Sequence, residues 1–146
     1  MSYTSQTRIE RSIGSTLLIQ LTDDSGAGSV DSDVLNQAIE SAGNEIDGYI
    51  QAHYSVPLAT TPGMIQVIAD DLTVYYLYYH RRNSFGIPDG IWETYKMRIK
   101  QLEKINDGKI DLGVEPPPSK SSKVMAQSDG PTAVMTGGAN GSLKDF

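Results

Sequence analysis

Apolar residues recur at Val34, Leu35, Ala38, Ile39, Ala42, Ile46, Tyr49 and Ile50. This is the i, i+3, i+4, i+7 spacing that lays one apolar stripe along a 3.6-residue helix, and it predicts a long helix after Asp31. A second stripe, Ile65, Ile68, Ala69, Leu72, Tyr75, Tyr76 and Tyr79, predicts another helix after Pro62. Proline suits a helix start because the N–H it lacks would have no helical partner there. The knuckle Tyr54-Ser55-Val56-Pro57-Leu58 lies between the stripes, and so short a connector makes them antiparallel neighbours. The polar positions of this stretch hold Asp33, Glu40, Glu45, Asp47, Asp70 and Asp71, with no Lys or Arg from Asp31 to His80. Each helix is therefore expected to turn one face to the core and an acidic face outward.

The flanks complete the inventory. Thr4 to Ile13 reads as a short helix with Thr4 or Ser5 as N-cap, Ile9 and Ile13 on one face and Gly14 as its left-handed stop. Ser15 to Leu21, with Leu17, Leu18, Ile19 and Leu21, is too brief for periodicity to separate a helical turn from a strand. A helical turn is favoured, because no convincing second strand lies nearby. Asp23 to Asp31 is a Gly/Asp/Ser loop. Asn83 to Gly90 breaks the pattern with Gly86, Pro88 and Gly90. A third long helix then runs from about Ile91 to Ile105, with Ile91, Trp92, Tyr95, Ile99, Leu102 and Ile105 on one side and Lys96, Lys100 and Lys104 on the wet side. One short and three long helices predict an all-α fold, a small helical bundle spanning residues 1–113.

Residues 114–146 differ in composition, with Pro116-Pro117-Pro118, then Ser119, Ser121 and Ser122, then Gly137, Gly138 and Gly141. Such a segment buries too little apolar surface to offset its ordering entropy. It is expected to be an extended tail ordered on a partner, with Val124, Met125, Val134, Met135, Leu143 and Phe146 as candidate anchors.

The totals narrow the function. A length of 146 residues favours one core and a tail. The net charge of −6 argues against a nucleic-acid reader or an anionic-membrane binder, both of which need a basic footprint. Glu115, Asp129 and Asp145 cancel Lys120, Lys123 and Lys144, so the whole −6 belongs to the helical part. The absence of Cys removes disulfides and thiol chemistry. The N-terminus has neither a basic nor an apolar leader region, and no run approaches the roughly 18 apolar residues of a membrane span. A soluble protein is expected.

Candidate chemistry is sparse. Counting Asp23 as position one of a calcium loop puts Ser25 at three, Gly28 at six and Asp31 at nine. Ala27 at five and Val34 at twelve then stand where oxygen ligands belong, so a glycine-rich turn into a helix cap is the better account. His53 and His80 sit near helix ends without the neighbours of a metal site or triad, and read as structural. Asp70 and Asp71 cannot share a proton, because adjacent helical residues point about 100° apart; a solvated face or an interface edge is expected instead. The cluster Tyr75-Tyr76-Leu77-Tyr78-Tyr79 could stack bases, but the surrounding acid favours core packing plus a subunit interface. No phosphate loop, nucleotide fingerprint or nucleophile elbow is present. The expectation is a protein without catalytic residues, metal or cofactor.

The charge layout is the most informative feature. No Lys or Arg occurs from Ser12 to His80, while Arg81, Arg82, Lys96, Arg98, Lys100, Lys104 and Lys109 crowd the following stretch. An acidic half and a basic half suit head-to-tail packing of copies, a heterologous contact that closes into a ring when the rotation allows. Asp70, Asp71, Arg81 and Arg82 are the candidate inter-subunit charge contacts. The plain alternative is that the two halves mix in three dimensions.

Four phrases, taken together and in order, resemble the Mu-like phage head–tail connector family. They are Leu18-Ile19-Gln20-Leu21-Thr22-Asp23, Glu45-Ile46-Asp47-Gly48-Tyr49, the knuckle Tyr54 to Leu58, and Gly108-Lys109-Ile110-Asp111-Leu112-Gly113. The resemblance covers roughly Tyr3 to Gly113. It implies a helical neck adaptor with no catalytic role, assembled in the host cytoplasm into a virion ring, commonly a dodecamer. Its implied partners are further copies of itself, the portal protein, and a tail or second neck-ring protein, with DNA only passing through the lumen and no membrane. Two alternatives stay open: a tail-completion or tail-terminator protein, kinds that are also ring formers and more often β-rich, and a calcium- or ligand-binding regulatory module.

Overall fold

Ser5 and Gly14 frame the first helix. The Ser5 hydroxyl accepts the Arg8 backbone N–H, and Gly14 ends the helix at φ +88°, a backbone setting that L side chains rarely adopt. In the computed structural model, which describes residues 2–114, six helices follow one another: α1 (Gln6–Ile13), α2 (Ser15–Thr22), α3 (Ser32–Ile50), α4 (Gly63–His80), α5 (Arg82–Phe85) and α6 (Asp89–Asn106). The described residues contain no strand. The protein is thus all-α, a helical bundle, with two more helices than the expected one short and three long.

Both additions have local causes. The run Ser15 to Thr22 becomes helical because Leu18 and Leu21, three residues apart, are both fully buried on one face. α5 is a single turn that starts one residue ahead of the predicted break and ends at Gly86, φ +70°. Asp31 caps α3, its carboxylate accepting the Asp33 and Val34 backbone N–H groups. Pro62 stands just ahead of α4 as its N-cap.

The core sits around α4, which packs against each of the other five helices. One stripe of this helix, Ile65, Ile68, Ala69 and Leu72, is buried as its spacing predicts. Thr73, Val74 and Leu77 are buried as well. Residues 65–77 therefore meet neighbours nearly all round, the condition of a central helix rather than a surface one. Val74 and Leu77 join Ile9, Leu18, Leu21, Leu35, Ala38 and Ile39 in one cluster that welds α1 and α2 onto the α3/α4 pair. Against the other side of that pair, α6 contributes Leu102 and Ile105.

Two substitutions check this account. Leu77→Ala removes a fully buried side chain from the cluster shared by four helices. It should lower unfolding free energy by about 2–5 kcal/mol in urea denaturation. Thr73 is fully buried, and its hydroxyl has no hydrogen-bond partner among the described residues. Replacing a buried orphan hydroxyl by a methyl of similar volume is favourable, so Thr73→Val should hold or raise the urea midpoint; a clear drop would show that the hydroxyl is used.

Candidate interaction surface

Asp70 and Asp71 are neighbours on α4, and the roughly 100° between consecutive helical residues sends them to different partners. Asp70 faces the N-terminal segment. It accepts the Thr4 hydroxyl, and the Arg8 guanidinium approaches in a two-pronged fork at 3.2 and 2.7 Å. Such forks combine charge with two aligned hydrogen bonds. Asp71 faces α6 and accepts Arg98 Nε at 2.6 Å, while the same guanidinium reaches Gln101 at 2.8 Å. One acid holds α1 on the central helix and the other holds α6.

Glu45 of α3 is a third tie. One carboxylate oxygen accepts the Tyr76 hydroxyl at 2.7 Å and the other accepts the Tyr95 hydroxyl at 3.0 Å, so one side chain joins α3, α4 and α6. The Tyr3 hydroxyl is a fourth: it donates to Asp47 and accepts the Leu58 backbone N–H at 2.9 Å. Nothing in the spacing of the chain marks Glu45 or Tyr3. For Arg8 a signal did exist, since Arg8 and Arg11 are the sole Lys or Arg residues before Arg81.

Arg81 closes the end of α2. Its guanidinium donates to the Gln20 carbonyl at 3.2 and 3.0 Å and to the Asp23 carbonyl at 3.0 Å, and lies 3.5 Å from the Asp24 carboxylate. These are carbonyls that the helix itself leaves unpaired, at its negative pole. His80 reaches Asp24 from the other side at 2.9 Å. The calcium-like loop also folds on itself: the Asp23 carboxylate accepts the Ala27 N–H at 2.9 Å and the Gly28 N–H at 2.7 Å. Those amides, Gly28 first, hold its carboxyl below the usual carboxylate range.

Of the four residues expected to meet neighbouring subunits, Asp70, Asp71 and Arg81 thus have charged or carbonyl partners inside the chain, and the acidic and basic halves mix at Asp71–Arg98 and at Arg81–Asp24. Arg82 stays exposed, donating to the Tyr79 carbonyl at 2.9 Å with its guanidinium 4.2 Å above the Tyr79 ring. The expected tail anchors Val124, Met125, Val134, Met135, Leu143 and Phe146 lie outside the described residues.

Around Arg82 the surface is aromatic. Tyr79, Phe85 and Trp92 are 45%, 45% and 41% exposed, high values for rings of this size. They are not scattered. Trp92 stacks on Tyr95 at 5.7 Å, Tyr95 on Tyr75 at 3.9 Å, and Tyr75 on Tyr79 at 6.2 Å, with Arg82 over one end of the row and Lys96, 5.5 Å from the Trp92 ring, over the other. The tyrosine cluster therefore serves two ends, its inner members in the core and its outer members on the surface. Beside the row, a groove of about 340 Å³ runs between α3 and α4, lined in part by Val34, Ala38, Tyr79 and Arg82. A second groove, about 490 Å³, lies between the N-terminal segment and α3 and is lined by Ser2, Thr4, Ser5, Gln6, Asn36, Ile39 and Glu40. No group of three or more His, Asp or Glu residues that could hold a metal occurs among the described residues. No helix among them is long and apolar enough to cross a membrane.

A sequence model of the family described as Bacteriophage Mu, Gp36 matches residues 3–128. The match runs past Gly113, where the resemblance carried by the four phrases stops, and takes in the first part of the Pro/Ser/Gly-rich segment. Gene product J of Escherichia phage Mu is 32% identical over 108 residues, covering 71% of this chain and 73% of that protein. The Mu-like prophage FluMu protein gp36 of Haemophilus influenzae is 31% identical over 88 residues, 60% of this chain and 59% of the relative.

The tyrosine ties predict an alkaline limit to stability. Burial, and then the hydrogen bond to Asp47, push the Tyr3 phenol from its ordinary 10.0 up to about 12. Burial and Glu45 push Tyr76 and Tyr95 upward too. A phenol that holds its proton more tightly when folded stabilises the fold fully below its unfolded value, and that contribution is lost as pH rises through the folded value. The urea midpoint should therefore fall between pH 10 and 12, and Tyr3→Phe should flatten the fall. An equally steep alkaline limb in Tyr3→Phe would mean that this phenol plays no part in it.

Proposed function

The chain belongs to the Bacteriophage Mu, Gp36 family, and we propose that it is a structural protein of the phage neck, a head–tail connector. In this reading copies of the chain form a ring that docks on the portal, offers a platform to the tail or to a second neck ring, and lets DNA pass through its lumen. The chain has no catalytic part in the process. What carries the reading is the conjunction of a Mu-phage family match over residues 3–128 with a wholly helical unit among the described residues.

Three further observations support it. The net charge of −6 belongs to residues 1–114, so the ring wall would repel DNA and let it slide rather than stick. The helical unit fits a connector better than a tail terminator, a class more often rich in strands. The loop that resembled a calcium site spends the Asp23 carboxylate on its own amides, which weighs against the calcium form of the regulatory-module alternative. In this reading residues 115–146 supply the contact with a portal or a neighbouring copy.

Electron microscopy of the purified protein mixed with portal tests the assembly directly. The expected image is a ring stacked coaxially on the portal, with an acidic inner wall; portals that stay bare would end the reading. A chain stopped after Gly113 should keep its helical circular dichroism yet fail to join the portal or a neighbouring subunit. Normal incorporation of this truncation into particles would remove the role assigned to the C-terminal segment.

A further inference from the structure

The exposed aromatic row has no partner inside the described chain for its outer edge. Among the described residues Tyr79 and Trp92, at the two ends of the row, are 45% and 41% exposed, and Arg82 and Lys96 bracket it. Tryptophan, tyrosine and arginine side by side are the composition of an interface hot spot, not of a solvated face. Lys96 pairs with the exposed Glu93 at 3.0 Å, an i,i+3 surface contact of little strength, while Arg82 has no carboxylate partner among the described residues, so the row calls for a partner that is acidic and able to accept hydrogen bonds from the Trp92 N–H and the Tyr79 hydroxyl.

This chain carries such a surface. The groove between the N-terminal segment and α3 is walled by hydroxyl and amide side chains, has Ile39 at its floor and Glu40 on its wall, and contains no Lys or Arg. Glu40 is exposed and has no ion-pair partner among the described residues. Glu40 and Asp33 lie seven residues apart, two helical turns, on the same outward line of α3. The two surfaces flank α3 on different sides: Asn36, Ile39 and Glu40 line one groove, while Val34, Gln37, Ala38 and Ser41 line the other, beside Tyr79 and Arg82. Because the two surfaces face away from each other across α3, a single two-fold interface does not bring both together, and a contact between them is heterologous.

Resting on the reading of the chain as a ring former, we infer that the Arg82–Tyr79–Trp92–Lys96 edge of one copy docks on the Glu40 groove of the next. The aromatic edge supplies the apolar contact, and Arg82 and Lys96 meet Glu40 and Asp33. Each copy keeps a free groove on one side and a free edge on the other, so the contact propagates until the ring closes.

Trp92 is the single tryptophan of the chain, and its emission reports the contact. With the full chain titrated from dilute to concentrated solution, emission should move to the blue in step with the rise in mass seen by light scattering, and the transition should need more protein at high salt. Arg82→Glu with Lys96→Glu, and separately Glu40→Lys, should each raise the concentration at the association midpoint at least about tenfold. Helical circular dichroism should stay unchanged, because these side chains lie on the surface. The combined variant carrying all three reversals should associate again, since both faces have changed sign together. Association that proceeds with unshifted Trp92 emission would overturn the inference and leave the connector reading standing. Failure of the combined variant to recover would overturn the pairing of these two faces. A blue-shifted emission already present in the monomer would mean that the edge is covered within the chain, and would overturn it as well. A chain that is monomeric alone and also on the portal would sink both this inference and the function proposed above.

Discussion

A helix with neighbours on nearly every side cannot carry bare carboxylates, because removing an unpaired charge from water costs far more than any single packing contact returns. α4 carries Asp70 and Asp71 in that position, with their side chains only 15% and 26% exposed. The fold depends on the answer to this constraint. Arg8 arrives from α1 and Arg98 from α6, so two electrostatic requirements of one helix fix the placement of two others. The apolar stripes bring these helices together, but hydrophobic contact is not directional. The Arg8 fork on Asp70 and the Arg98 bond to Asp71 decide how each one lies.

The same logic runs outward from Glu45 and Arg81. Glu45 has both oxygens engaged by tyrosine hydroxyls from two helices, and Arg81 terminates α2 by binding its carbonyl end. Most of the conspicuous charge in the middle of the chain is therefore architectural. Once it is accounted for, the surface that remains has a different character from the one that the linear charge pattern suggests. It consists of a stacked aromatic row with a cation at each end, and of a polar, acid-bearing groove on the opposite flank of α3. In the connector reading proposed above, the residues of interest are those that the fold does not use.

A small all-helical unit with dense internal pairing is also suited to a passive mechanical role. Thr4, Tyr3 and Arg8 sew the N-terminal segment to α3 and α4, and the loop after α2 is held by Asp23 and by Arg81. Tyr3, Tyr76 and Tyr95, whose phenols burial pushes upward, are among the groups that tie these elements together.

The sequence by itself determined the elements. The periodicity of Val34 to Ile50 and of Ile65 to Tyr79, the caps at Ser5 and Asp31, and the stop at Gly14 are local facts, set by turn geometry and by which backbone groups a helix end leaves unpaired. These sufficed for an all-α bundle, and the run at Ser15 became the helix that its surroundings favoured. Four short phrases sufficed for the phage family. What tertiary structure alone decided was the use of the charges: Asp70 meets Arg8 across 62 residues, Asp71 meets Arg98 across 27, and Tyr95 meets Glu45 across 50. No periodicity encodes such pairs, because a charge at a polar helix position is compatible with water, with a neighbouring helix or with another molecule. Which of these it meets is settled only when α4, whose second buried face comes from Thr73, Val74 and Leu77, is packed into the centre and Asp70 and Asp71 come up against α1 and α6.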